Sequence, residues 1–319
     1  MKKIHSTTLA ISSALVLGSS LTFGNALVSI NESFVGMTTG NINGQNTSPT
    51  PGDYFDGTET WEAATTAFSD RGYRGSTTSL SYNGLGGAGG SVEVFRDNTF
   101  NSGVLGTRAS LTPTTKPSNL AYDTSGSLYF SFLVNFDGYT ARADDGVQQG
   151  VLVDFEHDTS TTSRVFGVHI GGATGGDSNN FGLSLQTQSK SNIEQNSWDL
   201  VDTGLNLASG TNLVQLRIVH SGSTVSGDAR YELSLNPSGP GATPDFVHEE
   251  QFGLAKNNPD YGFESFGISQ SLNDEQSVLV DELYLGETSA VPVPEPNATA
   301  FVAILLLAGM AVRRRCHVA

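Results

Sequence analysis

Cysteine is almost missing from this chain: one residue in 319, Cys316, close to the C-terminus. No intrachain disulfide can form, and a cysteine-based zinc site or a thiol nucleophile in the body of the chain is excluded. Basic residues are scarce as well, 16 Lys and Arg against 32 Asp and Glu. Such a balance repels nucleic acid and anionic lipid, so no nucleic-acid partner is expected. Helical periodicity is nearly absent, and no Gly-x-Ser-x-Gly elbow supplies a serine nucleophile. The glycines of 84–90 precede no Lys-Ser/Thr, which removes a phosphate-binding loop. His157, His169, His220 and His248 are scattered, without the short spacings of a zinc site.

What is present begins at the two ends. Lys2 and Lys3 precede an apolar stretch, Leu9–Leu21, diluted by serines, and Gly24-Asn25-Ala26 puts small residues where a signal peptidase cuts. Cleavage is expected after Ala26. At the other end Pro294-Glu295-Pro296 is followed by an apolar run, Ala298–Val312, and by Arg313-Arg314-Arg315. A helix over that run would be roughly 23 Å long, short of a ~30 Å hydrocarbon core. The three arginines hold the C-terminus in the cytoplasm and leave the bulk of the chain outside. Pro292, Pro294 and Pro296 favour an extended, accessible strip ahead of the helix.

Proline, glutamate, proline, a short apolar span and a basic cluster resemble the PEP-CTERM sorting signal of bacterial exported proteins. The resemblance covers about Val291 to Arg315 and implies an exosortase-like enzyme that reads and removes the tail. A plain single-span anchor is the alternative. The expected organisation is a signal peptide over 1–26 and one exterior domain over 27–288, loose at 36–52. A proline-rich sorting stretch at 289–297, a transmembrane helix at 298–312 and a basic cytoplasmic tail at 313–319 follow. Between the ends, 27–312 keeps 11 basic residues against 32 acidic, a formal −21.

The interior alternates. Leu128, Phe130, Phe132, Val134 and Phe136 share one face of a strand, and the same period joins Val151/Val153/Phe155, Phe166/Val168/Ile170, Phe181/Leu183/Leu185, Val214/Leu216/Ile218 and Tyr231/Leu233/Leu235. Glycine- and proline-rich stretches at 84–90, 171–176 and 236–245 punctuate them as loops. Many half-buried strands without disulfides predict an all-β fold of two antiparallel sheets packed face to face, a jelly-roll sandwich. The segments Tyr231–Pro237 and Val278–Gly286 resemble late strands of laminin-G/concanavalin-like domains, which supports the fold more than any activity.

Asp154, Glu156 and Asp158 are the strongest acidic cluster, placed by alternation opposite Val151, Val153 and Phe155. Glucanases of the concanavalin-like fold carry Glu-x-Asp-x-x-Glu. Asp-x-Glu-x-Asp departs from that order and spacing, so catalysis is not expected and a solvated outer face is. No cofactor is required; calcium is the one ion that these oxygens, with Asp144 and Asp145, would suit. Asp281 falls in line with Leu279, Leu283 and Leu285, predicting a buried structural acid paired with an arginine or loop N–H groups, with Glu282 outward. Trp61 and Trp198 are either core residues or sugar platforms. The whole predicts an exported, non-enzymatic surface or extracellular-matrix protein, structural, adhesive or polysaccharide-binding. The rival is a glycoside hydrolase or polysaccharide lyase on the same fold.

Overall fold

The computed structural model describes residues 29–47, 57–63, 71–87, 89–96, 107–112, 126–136, 150–158, 164–172, 181–188, 198–220, 228–251, 262–270 and 276–290. The expected signal-peptide site at Gly24 and Ala26 lies outside them, as do Pro294, Glu295, Pro296 and Arg313, Arg314 and Arg315 of the tail. Among the described residues no helix is long and apolar enough to cross a membrane.

The described strands are β1 (Ser29–Glu32), β2 (Gly40–Asn41), β3 (Trp61–Ala63), β4 (Arg71–Ser76), β5 (Ser81–Tyr82) and β6 (Leu85–Gly86). Next come β7 (Ser91–Arg96), β8 (Thr107–Leu111), β9 (Gly126–Asn135), β10 (Gly150–Asp158), β11 (Arg164–Gly172) and β12 (Phe181–Gln188). The last are β13 (Trp198–Asn206), β14 (Thr211–His220), β15 (Asp228–Leu235), β16 (Phe246–Gln251), β17 (Gly262–Gln270) and β18 (Gln276–Gly286).

They form two large antiparallel sheets. One runs β16-β15-β14-β9-β18-β7-β4-β2, with β1 also on β18; the other runs β13-β12-β11-β10-β17-β8-β3. The alternating apolar residues meet between them. Phe130 of the nine-stranded sheet lies 5.3 Å from Phe155 and 6.2 Å from Phe266 of the seven-stranded one, and Phe166 stacks on Tyr231 at 6.4 Å. Each such ring, fully withdrawn from water, contributes about 2–3 kcal/mol. The two-sheet antiparallel sandwich is therefore the architecture, with the core on the faces that the period-2 pattern marks.

Two local departures matter. In β18 Val278 and Val280 face the core, as do Leu283 and Leu285, so the period slips by one residue between them. Glu282, at φ 52°, supplies the bulge. Asp281 consequently shares a face with Leu279 and not with Leu283 and Leu285, correcting the expected line. It is buried on the far side of the sheet, near the small cluster of Leu80, Leu133 and Leu213 that the β5-β6 hairpin covers with Tyr82 and Leu85. Glu282 is buried too, not outward.

The second departure is in the stretch expected to be loose, 36–52, of which 36–47 is described. Met37, Ile42 and Thr47 of that stretch are buried, and Gln45 bonds Thr38 and Asn41, so the chain is pinned to the domain edge.

Candidate functional site

Register across the seven-stranded sheet sets its outer face. Residues opposite one another share a side, and Val153, Val168, Leu185 and Ile268 point to the core. The neighbouring positions therefore point away: Glu62, Ser110, Gly267, Asp154, Gly167, Gln186 and Leu200 form one row, strand by strand. Beside it run Ser269, Leu152, His169, Ser184 and Asp202.

An outward face of a sandwich is ordinarily wet, and its polar groups are solvated. Here Asp154, His169, Ser184, Gln186 and Ser265 are each less than a tenth exposed, and Asp154 is fully withdrawn. That corrects the solvated face expected for Asp154. The side chains of Glu156 and Asp158 lie outside the described residues, so the three acids are brought together only as positions of one strand.

Glycine makes room for the Asp154 side chain. Both neighbours in register are glycines, and a Cβ at Gly167 would stand 2.7 Å from Asp154 Cβ and 2.4 Å from the Val153 carbonyl oxygen. Gly167 therefore cannot be replaced without moving backbone.

His169 is neutral. Burial pushes its imidazole down to about 4, and burial is the whole cause. A neutral ring offers one donor and one acceptor; Gln186 and the serine hydroxyls offer both kinds. The outer positions of this sheet thus hold desolvated hydrogen-bonding groups around a buried carboxyl.

The other carboxylates described on this face are exposed and sit on the edge strands, Glu62 on β3 and Asp202 on β13. Each is three strand spacings from Asp154, roughly 14 Å. A glycosidase pair stands about 5–9.5 Å apart, so neither can partner Asp154 in hydrolysis. Among the described residues no group of three His, Cys, Asp or Glu is placed to hold a metal ion. Trp61 is no sugar platform: it is fully buried and stacks on Phe34 at 5.6 Å.

Pattern reading overlooked Glu32. It is completely buried at the end of a four-residue strand, too short to show a period. The only signal is an acid between two apolar residues, Ile30 and Phe34, whose alternation puts all three on one face.

The chain matches no protein-family model and no curated protein. Among solved structures it is similar to the globular domain of T. cruzi calreticulin, with 12% identity, 72% of this chain and 84% of that one covered, and a TM-score of 0.40. It is similar to the lectin UEA-II complexed with galactose at 12% identity, over 81% and 98% of the two chains, with a TM-score of 0.39. A third similar structure, an engineered GH43 glycoside hydrolase, shows 11% identity and a TM-score of 0.40 over 78% of this chain and 40% of that one. At these values the likeness does not choose between binder and hydrolase.

Proposed function

We propose that this chain is an exported bacterial envelope protein whose concanavalin-like sandwich binds extracellular polysaccharide without turning it over. Its signal peptide is removed after Ala26 and its tail is of the PEP-CTERM kind. One observation carries the binding: the desolvated His169, Ser184, Gln186 and Ser265, spread over neighbouring rows about Asp154 on a sheet face that does not serve the core. A ligand that reached these groups with matching hydroxyls would gain specificity, because a mismatched one would strand a buried group.

The exit of the chain agrees with this use. Ser289 Oγ donates to Gln215 Oε1 and Tyr284 Oη donates to the Thr288 carbonyl, so 287–290 leaves along the nine-stranded sheet. An attachment there presents the opposite sheet, with Asp154, away from the envelope.

A glycan array with the purified protein, paired with a reducing-sugar assay, tests the reading. Binding that falls about tenfold or more in Gln186→Ala and Ser184→Ala, with no sugar released, is expected. Release of reducing ends that Glu156→Gln abolishes would replace it with the hydrolase or lyase.

A further inference from the structure

We infer that residues 29–47 form a proton-held clasp that closes one edge of the sandwich while the Glu32 carboxyl is protonated and releases it on ionisation. The geometry starts with β1, paired to the end of β18 from Ser29↔Gly286 to Glu32↔Leu283. The chain then turns at Phe34, at φ 52°, and runs back along the domain edge. Phe34, Met37 and Ile42 of this segment are buried, and Phe34 stacks on Trp61. The segment is thus a strip of apolar plugs held at one end by a polar lock.

The lock is Glu32. Oε1 accepts the Phe34 N–H at 2.6 Å and Oε2 is bonded to the Thr47 hydroxyl, which can take the proton of a protonated carboxyl, so one carboxyl joins both ends of the clasp. Among the described residues no cation pairs with it. Residues 33–47 and 75–92, on either side, contain no charged side chain in the sequence. Among the described residues, the acids Asp281 and Glu282 lie on β18, the strand that β1 pairs with. Arg74 of β4, opposite Asn41 in register, is held by Glu93 at 2.6 Å. Asp281 acts on Glu32 as a like charge.

A carboxylate wholly out of water, with a like charge acting on it and no base paired to it among the described residues, is in an unfavourable charge state. Burial first, and then the Asp281 charge, push the Glu32 carboxyl up to about 8, against opposing help from Thr47 and the Phe34 N–H. The sign follows. A group whose folded value is raised contributes its full stability below its ordinary value near 4.5 and loses it as pH climbs through about 8. Once the clasp opens, Glu32 ionises in water and Phe34, Met37 and Ile42 are exposed. The rest of the sandwich keeps its own ladder of hydrogen bonds, so opening is local.

Amide hydrogen exchange of the full chain, corrected for the intrinsic pH dependence of exchange, tests this directly. Between pH 5 and pH 9 the opening equilibrium of 29–47 is expected to rise roughly a hundredfold to a thousandfold, with β14 and β9 unchanged. In Glu32→Gln, which keeps an acceptor but cannot ionise, that rise should vanish. Proteolysis at 33–47 in the wild-type protein gives the same reading without a variant. Equal protection of 29–47 at both pH values in the wild type, or a rise that persists in Glu32→Gln, would overturn the clasp.

Discussion

The Asp281 carboxylate accepts the Leu80 N–H at 2.8 Å, tying the last strand of the nine-stranded sheet to a loop 201 residues earlier. Its oxygens also accept from Ser79 Oγ at 3.3 Å and from the Glu282 N–H at 2.8 Å. Burial, and to a lesser degree the Glu282 charge, raises this acid to about 7 despite those donors. The raised value means that its stabilisation is complete below about 3.8 and is lost as pH rises through about 7. Asp281→Asn should flatten that part of the stability profile in urea titrations. Asp281→Ala, which leaves the Leu80 N–H unpaired, should cost about 2–4 kcal/mol near pH 4 and less as pH rises through about 7, where the wild-type acid loses its own contribution.

His169 works in the opposite direction. Its depressed value means that stability is present above the ordinary 6.5 and is lost as pH falls toward 4. The full loss on acidification is roughly 3 kcal/mol, since each tenfold weakening of proton affinity is worth about 1.4 kcal/mol. His169→Gln should remove the acid limb while leaving the alkaline limb, owed to Asp281 and Glu32, in place. A stability profile that keeps its acid limb in this variant would assign the limb elsewhere.

These two groups show what the sequence could and could not disclose. The core faces of β9, β10, β11, β12, β14 and β15 were legible because period-2 apolar residues have one way to avoid water. The expectation for Asp281 is a buried acid paired with an arginine or with loop N–H groups; it is buried on the Leu80 N–H, on the face opposite to the expected one. A bulge adds a residue without announcing it, and Glu282 is not a residue type that signals a left-handed backbone. Asp154 was misread because alternation reports only which residues avoid the core. It does not say whether the other face is wet. Glu32 needed the pairing of Ser29 with Gly286, two ends of the chain that no local pattern connects.

The glycine beside Asp154 gives a sharp contrast. Gly167→Ala would drive a Cβ into the Val153 carbonyl oxygen and the Asp154 side chain. A loss of about 2–4 kcal/mol is expected, because the conflict is with backbone in the middle of a sheet. At Gly241, by comparison, an added Cβ meets nothing within 4 Å. Gly241→Ala should shift the urea midpoint by less than about 0.5 kcal/mol equivalent.

Two non-glycine residues share a left-handed backbone and should respond with opposite signs. Glu282, at φ 52°, is a buried acid raised by desolvation, and Glu282→Gly relieves both the backbone conformation and the buried charge. A gain of about 1 kcal/mol is expected, larger at pH 8 than at pH 5. Asn236, at φ 53°, accepts the Leu213 N–H at 2.8 Å and donates to Asn212 Oδ1 at 2.9 Å. Asn236→Gly gains the same backbone relief but orphans the Leu213 N–H, so a net loss of about 1 kcal/mol is expected.

The tail offers the last test, from length alone. Fifteen residues from Ala298 to Val312 reach roughly 23 Å as a helix and leave a ~30 Å core underfilled unless the bilayer thins or the arginines snorkel. A permanent anchor built this way is weak, whereas a transient one only needs to hold until a processing enzyme reads the strip at Pro294-Glu295-Pro296. Intact-mass analysis of the protein recovered from the bacterial surface should therefore show a chain that begins after Ala26 and ends near Pro296. On the proposed reading, replacing Arg313, Arg314 and Arg315 by serine should deplete the trimmed form, because a helix over 298–312 would then lack the charges that stop it in the membrane. Mature surface protein that still carries Cys316 would mean that the tail is an anchor that stays.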